Sequence, residues 1–374
     1  MDAYAGIPLI SLLSIFKLRN KEIPQKINKI LLIRLGNLGD AILSVPMIRE
    51  LKRNFPKSKI YMLTSPKTAG VYTNVSYIDK LITINLSLSN LYNPLKILRK
   101  ENFDLIIDME NYSRVTALFT YFIKPKFSIG FNSENQFRAS LFDASFVYDN
   151  GDKHEVDCFF DLVRPLKIKI KNKELEFHVK ADKHVDKLLK ENKLSKKDLK
   201  IIIHPSNNKD WNIKRWSEER FASLITQLIK KYKAKIILIG IKEDKEIIDR
   251  VKRLVDSNKN LFDFSGRLNI SQTAYLIKKC DLYIGNDTGP MHLSAAVQTP
   301  TIGIYGPVNV HKWGPYGKKH SYVCKYNNKN NKCWPCFEIS KINKNCKYPL
   351  PCEMAIRVDD VMKVVDKKVK EMGR

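Results

Sequence analysis

The sequence predicts an α/β protein of two domains, each built on a parallel sheet with helices, and three observations carry that prediction. Apolar runs of strand length alternate with helical patterns early in the chain: Lys29-Ile-Leu-Leu-Ile-Arg-Leu35, a helical stretch, then Lys59-Ile-Tyr-Met-Leu-Thr64. The alternation returns later, with Lys200-Ile-Ile-Ile-His204 and Lys235-Ile-Ile-Leu-Ile-Gly240 as strands on either side of another helix. At 374 residues and 44% hydrophobic content, without long low-complexity runs, the chain can build two ordinary cores and reads as soluble and globular.

The charge is strongly one-sided. Lys+Arg 66 against Asp+Glu 39 gives a formal +27, which favours an acidic partner unless the Lys, Asn and Ile richness is a compositional bias of the source. No zinc-finger spacing and no aromatic-basic RNA-binding pattern is present, so nucleic acid is not the expected partner. Four of the 7 cysteines form a late group, Cys333, Cys336, Cys346 and Cys352. The first pair has the Cys-x2-Cys spacing of a structural zinc site and the second does not, which leaves zinc or reduced structural thiols; a catalytic role is not expected.

Residues 1–28 stand apart. An apolar run at 5–16 is followed by Lys17, Arg19, Lys21, Lys26 and Lys29. It is too short to span a bilayer, and its charges follow the apolar run instead of preceding it as in a signal peptide. It either packs on the first domain or lies on an anionic membrane surface, and the protein is expected to be cytoplasmic, peripheral on the inner face of the cytoplasmic membrane.

The first domain, residues 29–170, opens with the strand ending at Leu35, the turn Gly36-Asn-Leu-Gly-Asp40 and a helix over 41–54. This turn is not GxGxxG, so no nicotinamide or flavin cofactor is expected. Gly36 and Gly39 keep the backbone open at the carboxyl end of the strand, where ligands of open α/β sheets collect, and Asp40 is there either as an N-cap or as a catalytic carboxylate. A further strand, Phe103-Asp-Leu-Ile-Ile-Asp-Met109, ends at the acidic Asp108, with Arg114 shortly after. Short strands over 127–131 and 145–148 and a helix over 156–166 complete the domain, and 167–173 reads as the hinge.

The second domain, residues 171–352, continues with a polar loop over 205–216, a helix over 217–232 capped by Ser217 with Glu218 and Glu219 in its first turn, a helix over 242–255, a short strand over 261–264 and a helix over 271–280. The stretch Asp281-Leu-Tyr-Ile-Gly-Asn-Asp-Thr-Gly-Pro-Met-His292 then reads as strand, turn over 286–290 and helix over 291–297. Thr288 and Gly289 stand at that helix start, where free backbone N–H groups can seat a phosphate; alternatively this is an ordinary βα loop capped by Asp287 or Thr288. The last segment, 353–374, carries Val358, Val361, Val364, Val365 and Val369 at helical spacing.

Four motifs stand in order: Arg34-Leu-Gly-Asn-Leu-Gly-Asp40, Phe103 to Asp108, Lys214-Arg-Trp216, and Asp287-Thr-Gly-Pro-Met-His292 with Tyr305-Gly-Pro307. The set resembles the glycosyltransferase family that contains the ADP-heptose:lipopolysaccharide heptosyltransferases, from about Lys29 onward. The resemblance implies a GT-B fold, two Rossmann-like domains facing across a cleft, the first taking the acceptor and the second the sugar nucleotide. It implies an inverting transferase without an obligatory metal, using ADP-heptose and a phosphorylated glycolipid acceptor of the lipopolysaccharide core. Ser206 stands where this family often has Gly, Ser294 where Ala is usual and Gln298 where Gly is usual.

The chemistry assigns roles to these positions. Glycosyl transfer needs a base for the acceptor hydroxyl, and Asp40 is the candidate. It also needs counter-charge for the departing diphosphate, which a helix dipole of about 0.3–1 kcal/mol at an exposed site does not supply alone. Lys214 is the expected supplement, with the Thr288 and Gly289 N–H groups. His292 faces the phosphates or is a buried hydrogen-bonded histidine, Asp287 meets sugar hydroxyls or fixes its loop, and Glu243 is placed to hold a ribose. Gly36, Gly39, Asp108 and Arg114 are expected on the acceptor side, and Trp216 in the core. The competing readings are a transferase or epimerase of the same fold with another sugar nucleotide, and a noncatalytic basic binding protein.

Overall fold

The computed structural model describes residues 2–17, 21–73, 75–85, 92–149, 151, 153–207, 215–256, 259–325 and 355–374. The chain divides into two compact units, Met1–Lys173 and Glu174–Arg374.

The first unit runs α1 (Asp2–Ile15), β1 (Lys29–Ile33), α2 (Leu38–Asn54), β2 (Lys59–Thr64), α3 (Pro66–Tyr72), β3 (Lys80–Thr83), α4 (Tyr92–Lys100), β4 (Leu105–Asp108), α5 (Arg114–Ile123), β5 (Phe127–Asn132), β6 (Ala144–Val147) and α6 (Glu155–Asp161). Its strands form one parallel sheet in the order β3-β2-β1-β4-β5-β6. The β1 residues Ile30, Leu31, Leu32 and Ile33 are fully buried, which is why this run is apolar without alternation. Each such side chain contributes about 1.5–3 kcal/mol by leaving water.

The second unit runs α7 (Lys183–Glu191), β7 (Lys200–His204), α8 (Glu218–Tyr232), β8 (Lys235–Leu238), α9 (Lys245–Leu254), β9 (Leu261–Asp263), α10 (Ile270–Lys278), β10 (Leu282–Asn286), α11 (Gly289–Ala296), β11 (Thr301–Tyr305), α12 (Val310–Trp313), β12 (Ser321–Cys324) and α13 (Val358–Glu371). Its sheet has the order β12-β11-β10-β7-β8-β9, all parallel. In each unit the strand order reverses beside the first strand, between β1 and β4 and between β7 and β10. Connections there leave in opposite directions and open a crevice at the carboxyl ends of the strands. Helix α13 packs on α8, β11 and β12, and its Val361, Val365 and Val369 share one core with Ile203, Ile236, Ile284 and Leu228.

Several boundaries differ from the sequence reading for local reasons. Helix α2 starts at Leu38, with Asn37 at the N-cap position, so Asp40 lies inside the first turn and does not cap it. The helix expected over 156–166 stops at Asp161, and a 3-10 turn at Arg164–Leu166 follows, where Pro165 brings no N–H. The helix expected from 242 begins as a 3-10 turn, Lys242–Asp244, with the Asp244 carboxylate accepting from Ile241 N at 2.8 Å. Trp216 is wholly buried, edge-on to Phe221 at 5.0 Å, as expected of a core residue.

Candidate active site

The crevice of the first unit is lined by paired charged side chains. The register sets Ile33 opposite Asp108, so Arg34 reaches the backbone just beyond β4. Its Nη1 donates to Met109 O at 2.7 Å and its Nη2 to Asp40 Oδ2 at 2.5 Å, while Glu110 Oε2 lies 3.6 Å away. Glu110 Oε1 in turn accepts from the Leu35 and Gly36 N–H groups at 2.6 and 2.8 Å, which pins the glycine turn. A Cβ on Gly36 would sit 3.3 Å from Arg34 Nη2 and 3.4 Å from Glu110 Oε1, so the turn packs directly on the ion cluster. Burial pulls the Arg34 guanidinium toward the neutral form, but the Glu110, Asp40 and Glu155 carboxylates outweigh it and hold the group above its ordinary range. Arg34 is therefore a permanent buried cation, in direct contact with the Asp40 carboxylate. Of this pair Asp40 is nearer to solvent, its side chain 13% exposed against 2% for Arg34.

Asp108 and Arg114, expected on the acceptor side, are both buried. Asp108 Oδ2 accepts from Arg138 Nη2 at 2.6 Å, and neither side chain is exposed at all. Arg138 also donates to Glu110 O and to Thr116 Oγ1, and Asp108 Oδ1 accepts from Glu110 N at 3.0 Å. Burial raises the Asp108 carboxyl from its ordinary range, and the Arg138 charge opposes that rise. Arg114 donates to Gln136 O at 3.2 Å and Asn135 O at 2.8 Å, holding the loop before Arg138. These groups set the loop that carries Glu110. Sequence reading missed Glu110 and Arg138: an isolated arginine about 30 residues beyond its partner carries no local signal.

In the second unit the crevice lies between β7 and β10. Thr288 occupies the N-cap position of α11, yet its side chain makes no capping bond; Oγ1 turns to His204 Nδ1 at 3.1 Å. Thr288 thus leaves the first backbone donors of α11 uncapped by its own side chain, and a helix start of this kind suits an anion. His204 Nε2 is 3.8 Å from Asp244 Oδ2, and Ser206 Oγ donates to Asp244 Oδ1. Burial would raise the Asp244 carboxyl, but the bonds from His204 and Ser206 outweigh it and the net shift is downward. Glu243 is exposed on the 3-10 turn, and its neighbour Asp244 joins the His204–Thr288 chain. Asp287 is half-buried, and His292 is buried within α11. A Cβ on Gly285 would sit 2.8 Å from Tyr283 Oη and 2.9 Å from His204 O, so only glycine lets β10 lie this close to β7 here.

Asn286, wholly buried, ties the crevice together. Its Nδ2 donates to Pro205 O at 3.0 Å and Ser206 O at 3.3 Å, and its Oδ1 accepts from Trp216 N at 3.1 Å. Trp216 Nε1 donates to Ile356 O at 2.9 Å. Lys214 lies outside the described residues, as do Cys333, Cys336, Cys346 and Cys352. Among the described residues no group of three or more His, Cys, Asp or Glu is placed to hold a metal ion.

The departures from the family pattern have local partners. Ser206 adds the bond to Asp244, and Ser294 Oγ accepts from Thr301 Oγ1 at 2.8 Å. Gln298 has φ 64, the left-handed region, and its Nε2 donates to Leu175 O at 3.0 Å. That conformation costs a non-glycine residue about 1–2 kcal/mol, and a hydrogen bond returns about 0.5–1.5 kcal/mol. Gln298→Gly is expected to change the unfolding free energy in urea by less than about 1 kcal/mol, whereas Gln298→Ala, which keeps the strain and loses the bond, destabilises more.

Comparison with known proteins agrees with this architecture. The family model for glycosyltransferase family 9 (heptosyltransferase) matches residues 93–347. The chain is 25% identical over 339 residues to lipopolysaccharide heptosyltransferase 1 of Campylobacter coli, covering 85% of this chain and 98% of that protein. A solved family 9 glycosyl transferase from Veillonella parvula superposes with a TM-score of 0.78 at 22% identity, covering 92% of this chain and 97% of the other. The ADP-heptose lps heptosyltransferase II of E. coli superposes at 0.73 with 18% identity, covering 92% and 100%. The two parallel six-stranded sheets match the GT-B architecture of those structures. This chain belongs to glycosyltransferase family 9, the heptosyltransferase family, and is a glycosyltransferase.

Proposed function

We propose that this protein moves a heptose, with inversion, from ADP-heptose to a hydroxyl of a phosphorylated lipopolysaccharide-core acceptor. The relatives' names supply the sugar and the acceptor class. The observation that carries the site assignment is the start of α11, where Thr288 turns its hydroxyl to His204 and leaves the helix donors to a diphosphate. In this reading the second unit takes the nucleotide sugar and the first the acceptor. The acceptor hydroxyl gives its proton to the Asp40 carboxylate as its oxygen bonds to the anomeric carbon. The bond from that carbon to the diphosphate breaks, and the electron pair leaves with ADP. Arg34, bonded to Asp40 Oδ2, holds the carboxylate in place. Lys214 and the Thr288-Gly289 backbone donors receive the developing charge. Glu243 takes the ribose, and Asp287 the sugar hydroxyls or its own loop. His292 supports the helix from within, and Gly36, Gly39, Asp108 and Arg114 shape the acceptor side. The protein works as a peripheral enzyme at the inner face of the cytoplasmic membrane, where a glycolipid acceptor is presented.

Incubation with ADP-heptose and truncated lipopolysaccharide acceptors is expected to give a product heavier by one heptose; no mass change with any acceptor would sink this reading. A donor screen by thermal unfolding separates it from an enzyme using another sugar nucleotide. A ligand at 100 times its dissociation constant adds about 2.7 kcal/mol, and ADP-sugars are expected to do so where UDP-sugars do not. Lys214→Ala is expected to weaken nucleoside diphosphate binding by roughly tenfold to a hundredfold, the loss of one charged hydrogen bond of about 1.5–3 kcal/mol. Unchanged affinity in a calorimetric titration would remove the lysine from the site.

A further inference from the structure

We infer that α1, with the two elements it packs on, is a docking face for an anionic lipid surface. This deepens the proposed reading, which needs a membrane-borne acceptor, but it is argued from the face itself.

One side of α1 is already accounted for. Ile10 is wholly buried with Ala117, Leu141 and Phe142, and Leu13 packs beside them. The opposite side is apolar too: Leu9, Leu12, Ile15 and Phe16 recur at helical spacing and point outward, with Ile15 76% and Phe16 69% exposed. Phe122 of α5 and Phe137, which opens the 3-10 turn Arg138–Leu141, are exposed on the two elements that α1 contacts. Six of the exposed large apolar side chains among the described residues thus belong to one small region. A surface helix of a globular unit normally turns a polar face outward, so this one is built to be covered. Its 14 residues are too few to cross a bilayer, and no described helix is long and apolar enough to do so. An apolar helix that cannot span lies in the interface.

Charge identifies the occupant. Lys21 Nζ donates to Pro125 O at 3.2 Å, which sets Lys21 beside the exposed Lys124 and Lys126, which follow Phe122 in the chain. Asp143 and Asp104 neutralise part of this cluster through Lys17 and Lys126. Among the described residues, Lys124 has no ion-pair partner. The result is an apolar face with a cationic rim, complementary to acyl chains beneath phosphate headgroups. A second copy would meet the face with an identical cationic rim, which opposes self-association.

The test is co-sedimentation of the full chain with vesicles of phosphatidylglycerol and phosphatidylethanolamine, against vesicles of phosphatidylcholine. Binding is expected on the anionic vesicles and is expected to weaken as salt rises. The double variant Leu12→Asp with Phe16→Asp is expected to lower the partition constant by about tenfold or more, because two exposed side chains lose their apolar contact. Both positions face outward, so the variant's thermal midpoint and its turnover on a soluble acceptor fragment are expected to match wild type. Lys124→Glu is expected to weaken binding to anionic vesicles alone. No binding by wild type, or equal binding by the double variant, overturns the inference. A dimer in sedimentation velocity that the double variant dissolves overturns it in favour of a second copy. Vesicle binding without any heptose transfer would count against the enzymatic reading alone, and transfer without vesicle binding against this face alone.

Discussion

Asp40→Ala is expected to lower turnover by about 10²–10⁴-fold while leaving nucleotide affinity unchanged. Arg34 sets how this loss is to be read. A carboxylate in the first turn of a helix and 2.5 Å from a buried guanidinium is a weak base, which is tolerable when the acceptor hydroxyl turns acidic only late in an oxocarbenium-like transition state. The same contact creates the rival explanation that Asp40 merely neutralises Arg34. Asp40→Asn separates the two: it keeps a side-chain oxygen able to accept from Arg34 and removes the proton acceptor. Equal loss in the Ala and Asn variants, with unchanged nucleotide binding and an intact thermal midpoint, supports the base. Near-normal turnover in either variant would end the assignment.

Arg138→Met is expected to destabilise the first unit by about 3–5 kcal/mol, because it leaves the Asp108 carboxylate buried without its counter-charge. Calorimetry on the full chain reads this as a lowered transition for one unit. Replacing both partners, Arg138→Met with Asp108→Leu, is expected to recover most of the loss, since an apolar pair of similar volume removes the buried charge altogether. The pH dependence has a definite sign. Burial already raises the Asp108 carboxyl in the folded state, and removing Arg138 removes the group that opposes the rise. A folded-state value above the unfolded one gives stability that is present at low pH and lost as pH rises. The single variant is therefore expected to be closest to wild type in acid and furthest from it at neutral pH. A deficit independent of pH would show that packing around Arg138, and not the stranded carboxylate, sets the cost.

What was legible in the sequence follows from how local each signal is. The runs that became β1, β2, β7 and β8 are apolar because those strands are covered on both faces, and this is visible without the fold. The helix start at Thr288 and Gly289 is legible because a strand, a short turn and a Pro-bearing helix start occupy one continuous stretch. Helices α3, α4 and α7 escaped notice because they are short; α7 buries only Val185 and Leu188. Glu110, Arg138, His204 and Asp244 escaped for another reason: their partners are brought close by sheet order, and Asp244 meets Ser206 across 38 residues of chain. Asp108 was read as an acid at a crevice, and nothing in its neighbourhood disclosed that an arginine from the far side of β5 would enclose it.

The grip of Asn286 on Pro205, Ser206 and Trp216 bears on how this enzyme can diverge. One amide holds Pro205 and Ser206, where the chain departs from β7, and the Trp216 backbone ahead of α8, so these two points stay together whatever lies between them in sequence. Lengthening a loop tethered in this way costs little, about 0.6 kcal/mol for each doubling. Insertions between the two anchors therefore leave β7 and β10 where the sheet puts them. Loss of the Asn286 side chain would release both anchors together, so tolerance of change between them lasts only as long as that one residue is kept.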